Sequence, residues 1–274
     1  METFRWKVGP RTLVMGVVNV TPDSFSDGGR FLDPEAAVSQ AIALAGDGAD
    51  ILDVGGESTR PGSDAVSASE EIDRVVPVIK RLAAEVVVPI SIDTRKLEVA
   101  RAALDAGAVI VNDVSGGRDP ALLDVVRDTG AGIVLMHMLG EPKTMQEEPT
   151  YRDVVAEVRD YLRGQVDAAV SAGIERETIA VDPGLGFGKT YEHNLTLMRD
   201  IDAFLDLGVP LVVGPSRKSF IGKALDDLPV EERLEGTAGA VAWLAARGAH
   251  VVRVHDVRAI SRVLRVVDAI RGAG

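Results

Sequence analysis

Eight short apolar runs in the chain each end in a polar group able to bind or activate a ligand: Asn19, Asp53, Asp93, Asn112, His137, Asp182, Ser216-Arg217-Lys218 and Arg253-Val254-His255. Two chemistries separate by charge. Asp93, Asn112 and Asp182 present carboxylate and amide groups suited to a flat heterocycle with an amino-imine edge, because one carboxylate can accept two parallel N–H bonds. Arg60, Lys218, Arg253 and His255 present cations suited to phosphate, arginine by forking to two oxygens and lysine as a point charge. The formal net charge is −12, so such an anion site is local, and general binding to nucleic acid or an anionic membrane surface is excluded. A polar strand end also serves as a turn former, and an isolated arginine commonly pairs with Asp or Glu. Recurrence at every run is what points to a shared site.

The runs are residues 13–20, 51–54, 89–93, 109–113, 132–137, 179–182, 210–214 and 250–255. They are short, rich in Val and Ile and flanked by Gly or Pro, the pattern of buried parallel strands. Between them the spacing is helical, as in Val38, Ile42 and Ala45, or Ile72, Val75, Val76 and Ile79. Gly48, Gly107, Gly130, Gly208 and Gly248 stand where helices must stop before the next strand. A last helix is predicted over 259–270. Eight β/α units predict an α/β fold made of one domain over residues 1–274, a single closed (β/α)8 TIM barrel, rather than an open doubly wound sheet. In such a barrel the carboxyl ends of the strands build the active site. The period of two then puts Ile110 with Asn112, Ala180 with Asp182, and Arg253 with His255 on common faces.

Other classes fall away on composition. The 274 residues are 46% hydrophobic and 26% charged with no cysteine, which permits a large core and removes disulfides, thiolate metal sites and cysteine nucleophiles. No apolar run of signal-peptide or membrane-spanning length is present, so a cytoplasmic protein without membrane or nucleic-acid partners is expected. The stretch 182–190 ends in Gly188-Lys189-Thr190, but Pro183 stands where a phosphate-binding loop needs its first glycine. An ATPase or dinucleotide reading is rejected; the glycines there are read as letting the backbone pass close to a planar ligand. His137 lacks a second ligand at metal spacing and is read as a core or pocket histidine. Residues 21–29 and 55–62 are rich in small residues and turn formers, and read as lids that close over the mouth.

Taken together, the stretches 15–29 and 53–62 with Ser91-Ile-Asp-Thr94, Asn112-Asp113, Met136-His-Met138, Asp182-Pro-Gly184, Ser216-Arg-Lys-Ser-Phe220 and Arg253-Val-His-Asp256 closely resemble the dihydropteroate synthase family. The resemblance covers nearly the whole chain. It implies condensation of 6-hydroxymethyl-7,8-dihydropterin diphosphate with p-aminobenzoate, giving 7,8-dihydropteroate and pyrophosphate in folate biosynthesis. It further implies Asp93, Asn112, Asp182 and Lys218 for the pterin, and Asn19, Arg253 and His255 for the diphosphate, with Asn19 also a ligand of Mg²⁺. Phe25, Asp27, Thr59, Arg60, Pro61 and Ser219 are similar to the family's residues around p-aminobenzoate, a pocket that sulfonamides occupy in the family. Asp27, Arg60, Lys218, Arg253 and His255 form the implied catalytic set, and a homodimer is the implied assembly. Two other readings compete. A catalytically silent pterin-binding paralogue would be expected to have lost loop residues such as Asp27, Thr59 and Arg60, all present here. A pterin-dependent methyltransferase would have no need of Ser58-Thr-Arg-Pro61 or Ser216-Arg-Lys218.

Overall fold

The computed structural model describes residues 3–21, 34–58, 66–140 and 144–273. All eight apolar runs form parallel strands: β1 Leu13–Asn19, β2 Ile51–Gly55, β3 Ile90–Asp93, β4 Ile110–Asp113, β5 Gly132–Met136, β6 Ile179–Asp182, β7 Val212–Val213 and β8 Val251–Val254. They form one sheet in the order β6-β5-β4-β3-β2-β1-β8-β7. The sheet closes into a barrel where Val181 bridges Leu211 and the Val181 N–H donates to Pro210 O at 2.9 Å. β7 is shorter than the predicted 210–214: Pro210, with no N–H for a ladder, contributes only its carbonyl, and Leu211 makes a single bridge.

Helices α1 Pro34–Gly46, α2 Ala68–Glu85, α3 Leu97–Ala106, α4 Pro120–Thr129, α5 Val154–Ser171, α6 Tyr191–Arg199, α7 Ser219–Ala224, α8 Leu234–Ala246 and α9 Val257–Arg271 connect the strands and close the chain. Gly107 ends α3 at φ 117°, where a Cβ would stand 2.6 Å from Ala83 Cβ. Only glycine meets both demands, and the tight stop delivers the chain directly into β4.

Strand alternation sorts the core into two. Outward residues such as Leu52, Ile92, Ile133 and Leu135 pack with Ile79, Leu82, Leu122 and Leu162 of the helices. Inward residues Met15, Ile51, Ile110, Val134, Ala180, Val212 and Val251 fill the lower barrel with Trp6. Trp6 lies across the base, its indole N–H donating to Thr178 O at 2.9 Å. Each buried Leu or Ile supplies about 1.5–3 kcal/mol, so the lower barrel and helix layer can carry the cost of polar groups set higher up. Among the described residues no helix is long and apolar enough to cross a membrane.

Candidate active site

Two residues beyond the inward apolar layer, the same strand faces turn polar: Asp53 above Ile51, Asn112 above Ile110, Asp182 above Ala180 and Arg253 above Val251. Asp93 ends β3 beside Asn112 in register. These side chains meet in one network. Arg253 donates through Nε to Asp53 Oδ2 at 2.6 Å and through Nη2 to Asp93 Oδ2 at 2.6 Å. Asn112 Nδ2 adds a bond to Asp53 Oδ2 at 3.1 Å. Asp53 is fully buried, and Asp53 Oδ1, Asp93 Oδ1 and Ser91 Oγ are buried with no hydrogen-bond partner among the described residues. Unsatisfied buried acceptors cost stability. Their concentration at the strand ends marks a place prepared for N–H donors from a ligand.

Electrostatics follow from this burial. It pushes the Asp93 carboxyl up to about 7, against the opposing charge of Arg253 and with Asp53 adding to the rise. Burial also works against the Arg253 charge, but Asp53 and Asp93 outweigh it and hold the guanidinium firmly protonated. The carboxylates and cations that the sequence separates by charge are therefore interleaved in space. An arriving anion would compete for Arg253 with two carboxylates.

On the opposite wall, Asp182 Oδ1 accepts the Gly184 N–H at 2.7 Å. Burial raises its pKa, while Lys218, Lys189 and Arg253 pull the other way. Lys218 is half-buried, donates to Leu185 O, and lies 4.4 Å over the Phe187 ring. Desolvation lowers it to about 8, with Asp182 opposing. His255 sits just past β8, its Nδ1 3.0 Å from Ser216 Oγ, which also accepts the His255 N–H. Val114, Met136, Met138 and Met145 form an apolar cluster against Phe187, a flat and polarisable lining of the kind that suits an aromatic ring.

Asn19 is the last residue of β1 and half-buried, and Ser219 opens α7 and is exposed. Phe25, Asp27, Thr59, Arg60 and Pro61 lie outside the described residues, as do 22–29 of the first predicted lid and 59–62 of the second. The residues flanking 59–65 are anchored: Glu57 accepts from the Val66 N–H at 3.1 Å and from Lys96 Nζ at 3.1 Å. Arg74 donates to Gly56 O at 2.7 Å.

The glycines of 182–190 admit a close approach of the protein to itself. A Cβ on Gly184 would collide with His137 O, and one on Gly188 with the backbone of Leu139. His137 is a core histidine, edge-on to Tyr161 at 4.9 Å and pushed down to about 3 by burial and Lys189. Two members of the site are assigned to no particular ligand on sequence grounds. For Asp53 the signal is a lone charge in Ile-Leu-Asp-Val-Gly, inside an otherwise apolar strand. Lys189 reads in sequence only as a candidate phosphate-loop lysine, yet it is one of the most buried charges in the site.

Among the described residues no three His, Asp or Glu side chains gather as a metal site. Asn19 supplies a single neutral oxygen at the mouth. That donor set fits a Mg²⁺ held mainly by phosphate oxygens and water, and does not fit a caged structural ion.

Comparisons with known proteins span nearly the whole chain. The family model described as pterin binding enzyme matches residues 15–255. A dihydropteroate synthase of Synechocystis sp. is 49% identical over 268 residues, covering 97% of this chain and 92% of its own. A solved structure of Xanthomonas albilineans dihydropteroate synthase with 4-aminobenzoic acid superposes with a TM-score of 0.91 at 47% identity, covering 96% of this chain and 94% of that one. Another, in complex with 7,8-dihydropteroate, gives 0.87 at 44% identity over 96% and 95%.

Proposed function

The chain belongs to the dihydropteroate synthases, and from that premise we propose how its barrel mouth performs the family's reaction. That reaction condenses 6-hydroxymethyl-7,8-dihydropterin diphosphate with p-aminobenzoate, giving 7,8-dihydropteroate and pyrophosphate. The observation that carries the site reading is the set of buried inward carboxylates, two of which keep an open acceptor oxygen beside Arg253. Asp182 takes the paired N–H groups of the pterin, Asp93 and Asn112 take further ring polar groups, and Lys218 lies along the ring beside Phe187.

The carbon–oxygen bond between the pterin methylene and the diphosphate breaks as the aniline nitrogen attacks, and that nitrogen then releases its proton to solvent. No protein nucleophile is required. Negative charge grows on the departing pyrophosphate, and Arg253 and His255 are the groups positioned to stabilise it; preorganised electrostatics of this kind commonly account for most of an enzyme's rate enhancement. Mg²⁺, held by Asn19 and the diphosphate, would supply further charge neutralisation there. Ser219, with Phe25, Asp27, Thr59, Arg60 and Pro61, is assigned to p-aminobenzoate on the family resemblance. The protein's remaining work is orientation and exclusion of water.

We extend the reading to a cytoplasmic homodimer. A cysteine-free chain is compatible with a reducing compartment, and exposed Trp243 on α8 with Val266 and Ile270 on α9 offers apolar area for a second copy to cover. The deciding assay incubates the protein with pterin diphosphate, p-aminobenzoate and Mg²⁺ and follows pyrophosphate. Release that depends on both substrates and stops on chelation is expected. Absence of release above background would sink the reading of this site.

A further inference from the structure

The loop between β6 and α6 carries a charge that none of the roles above uses. Lys189 is 3% exposed and forms no ion pair within 4.0 Å among the described residues. Its ammonium meets neutral acceptors instead: Phe187 O at 2.9 Å, His137 Nδ1 at 3.0 Å and His137 O at 3.5 Å. Burying an ammonium this way is costly, and an apolar side chain would fill the same space more cheaply. Burial pulls its pKa well down, and the carboxylate that opposes this most is Asp182.

The two are joined through the turn between them. Lys189 holds Phe187 O, the Phe187 N–H donates to Gly184 O at 3.1 Å, and the Gly184 N–H donates to Asp182 Oδ1 at 2.7 Å. From the other side the His137 N–H donates to Asp182 O at 2.9 Å. Tyr151 OH on Gly188 O at 2.8 Å and Gln146 on Gly186 O at 2.7 Å brace the same turn. A protonated Lys189 can only donate, so beside it His137 accepts through Nδ1, carries its proton on Nε2 and stays neutral. We propose that Lys189 is a positioning residue for pterin recognition: its buried ammonium keeps Asp182 in the charged, ligand-accepting form and fixes the Gly184–Lys189 turn that aims it. The inference rests on reading Asp182 as the pterin carboxylate.

Three cations face Asp182: Lys189 from its own loop, Lys218 from the β7–α7 connection and Arg253 from β8. Lys218 and Arg253 line the mouth, where a bound ligand would touch them. Lys189 is buried on Phe187 O and His137 and reaches Asp182 through the turn and its charge. Burial disfavours the Asp182 charge, so removing one opposing cation must move its protonation to higher pH. Asp93 titrates nearby, but its charged neighbours are Arg253, Asp53, Glu71 and Lys218, not Lys189.

The test is fluorescence titration of the full chain with 6-hydroxymethylpterin across pH, in the wild type and in an Asp93→Asn background that removes the second carboxylate. Lys189→Met is expected to weaken binding at neutral pH by about tenfold and to move the acid limb up by about one pH unit. Lys189→Arg should restore most of both. A Lys189→Met protein that binds more weakly at every pH with the limb unmoved would make Lys189 a brace only and overturn the proposal. Should that variant not fold, the wild type still decides: the Lys189 Cε NMR shift at neutral pH must be that of an ammonium, and a neutral amine ends the idea. Failure of the wild type to bind 6-hydroxymethylpterin at any pH would remove the Asp182 assignment itself, a different failure from an unmoved limb.

Discussion

Asp50 and Asp53 flank the same buried strand, one just before β2 begins and one within it, and they are treated in opposite ways. Asp50, at the lower rim, accepts both Arg11 nitrogens at 2.9 and 2.6 Å and the Val14 N–H at 2.9 Å. Nearby, Asp268 of α9 accepts the Thr12 N–H at 3.0 Å and the Thr12 hydroxyl at 3.2 Å. Asp53, at the upper rim, is completely buried, shares one oxygen between Arg253 and Asn112 and leaves the other without a partner. The lower rim saturates its carboxylates and exposes their partners; the upper rim buries its carboxylates and leaves them short. Shape does not make this distinction, since the lower rim also has a groove of about 510 Å³ lined by Arg11, Asp50, Arg258 and Asp268. Unsatisfied buried charge separates the end that holds the barrel together from the end that works.

The largest effect that would sharpen this contrast is expected from Asp182→Ala. Losing a charged acceptor for two ligand N–H groups should cost about 3 kcal/mol of pterin affinity, read by calorimetric titration. Thermal stability should fall by less than affinity, because the folded chain loses one side-chain hydrogen bond to Gly184 and the charge that opposes Lys189 and Lys218, but also sheds a buried carboxylate. A fall in stability as large as the fall in affinity would make the upper rim as structural as the lower one.

Asp93→Asn should give the next largest effect, and its sign can be worked out. Burial raises the folded-state pKa of Asp93 to about 7 from 3.8, so the folded protein holds this proton more tightly than the unfolded chain. The stability it contributes is complete below the unfolded value and is lost as pH rises through the folded one. Relative to wild type, Asp93→Asn should therefore gain melting temperature between about pH 4 and 7, by roughly 2–4 °C per kcal/mol relieved. A constant difference across that range would mean Asp93 is ionised throughout and the rim is less strained than its burial suggests.

Much of this organisation is legible in the sequence because it depends on local pattern. Val and Ile runs with glycine stops place all eight strands, and the period of two aims Asn112, Asp182 and Arg253 into the mouth. What stays hidden depends on contact across the barrel. Arg253 and Asp53 are 200 positions apart and meet because β2 and β8 both pair with β1, so pairing that looks like a phosphate site is first an internal neutralisation. Lys189 stays hidden for another reason: burial is invisible in a Gly-Lys-Thr string, and only the turn geometry shows that the lysine is buried on His137 and Phe187 O. The residues expected around p-aminobenzoate on the family resemblance, Phe25, Asp27 and Thr59 to Pro61, lie outside the described residues.

The smallest effect, and the one that tests the other half of the contrast, is expected from Asp50→Ala. Arg11 is 60% exposed and Asp50 21%, so solvent already screens the pair and little Coulomb energy is at stake. What the variant removes is mainly the acceptor for the Val14 N–H at the start of β1, and water can reach that rim to replace it. About 1 kcal/mol of stability should be lost, measured by urea denaturation. kcat and both KM values should be unchanged, because β1 is held along its length by β2 and β8 and the displacement stays below the inward apolar layer. A change in either KM would show that strain at the lower rim reaches the mouth through the strands, and the two ends would then have to be treated as one coupled unit.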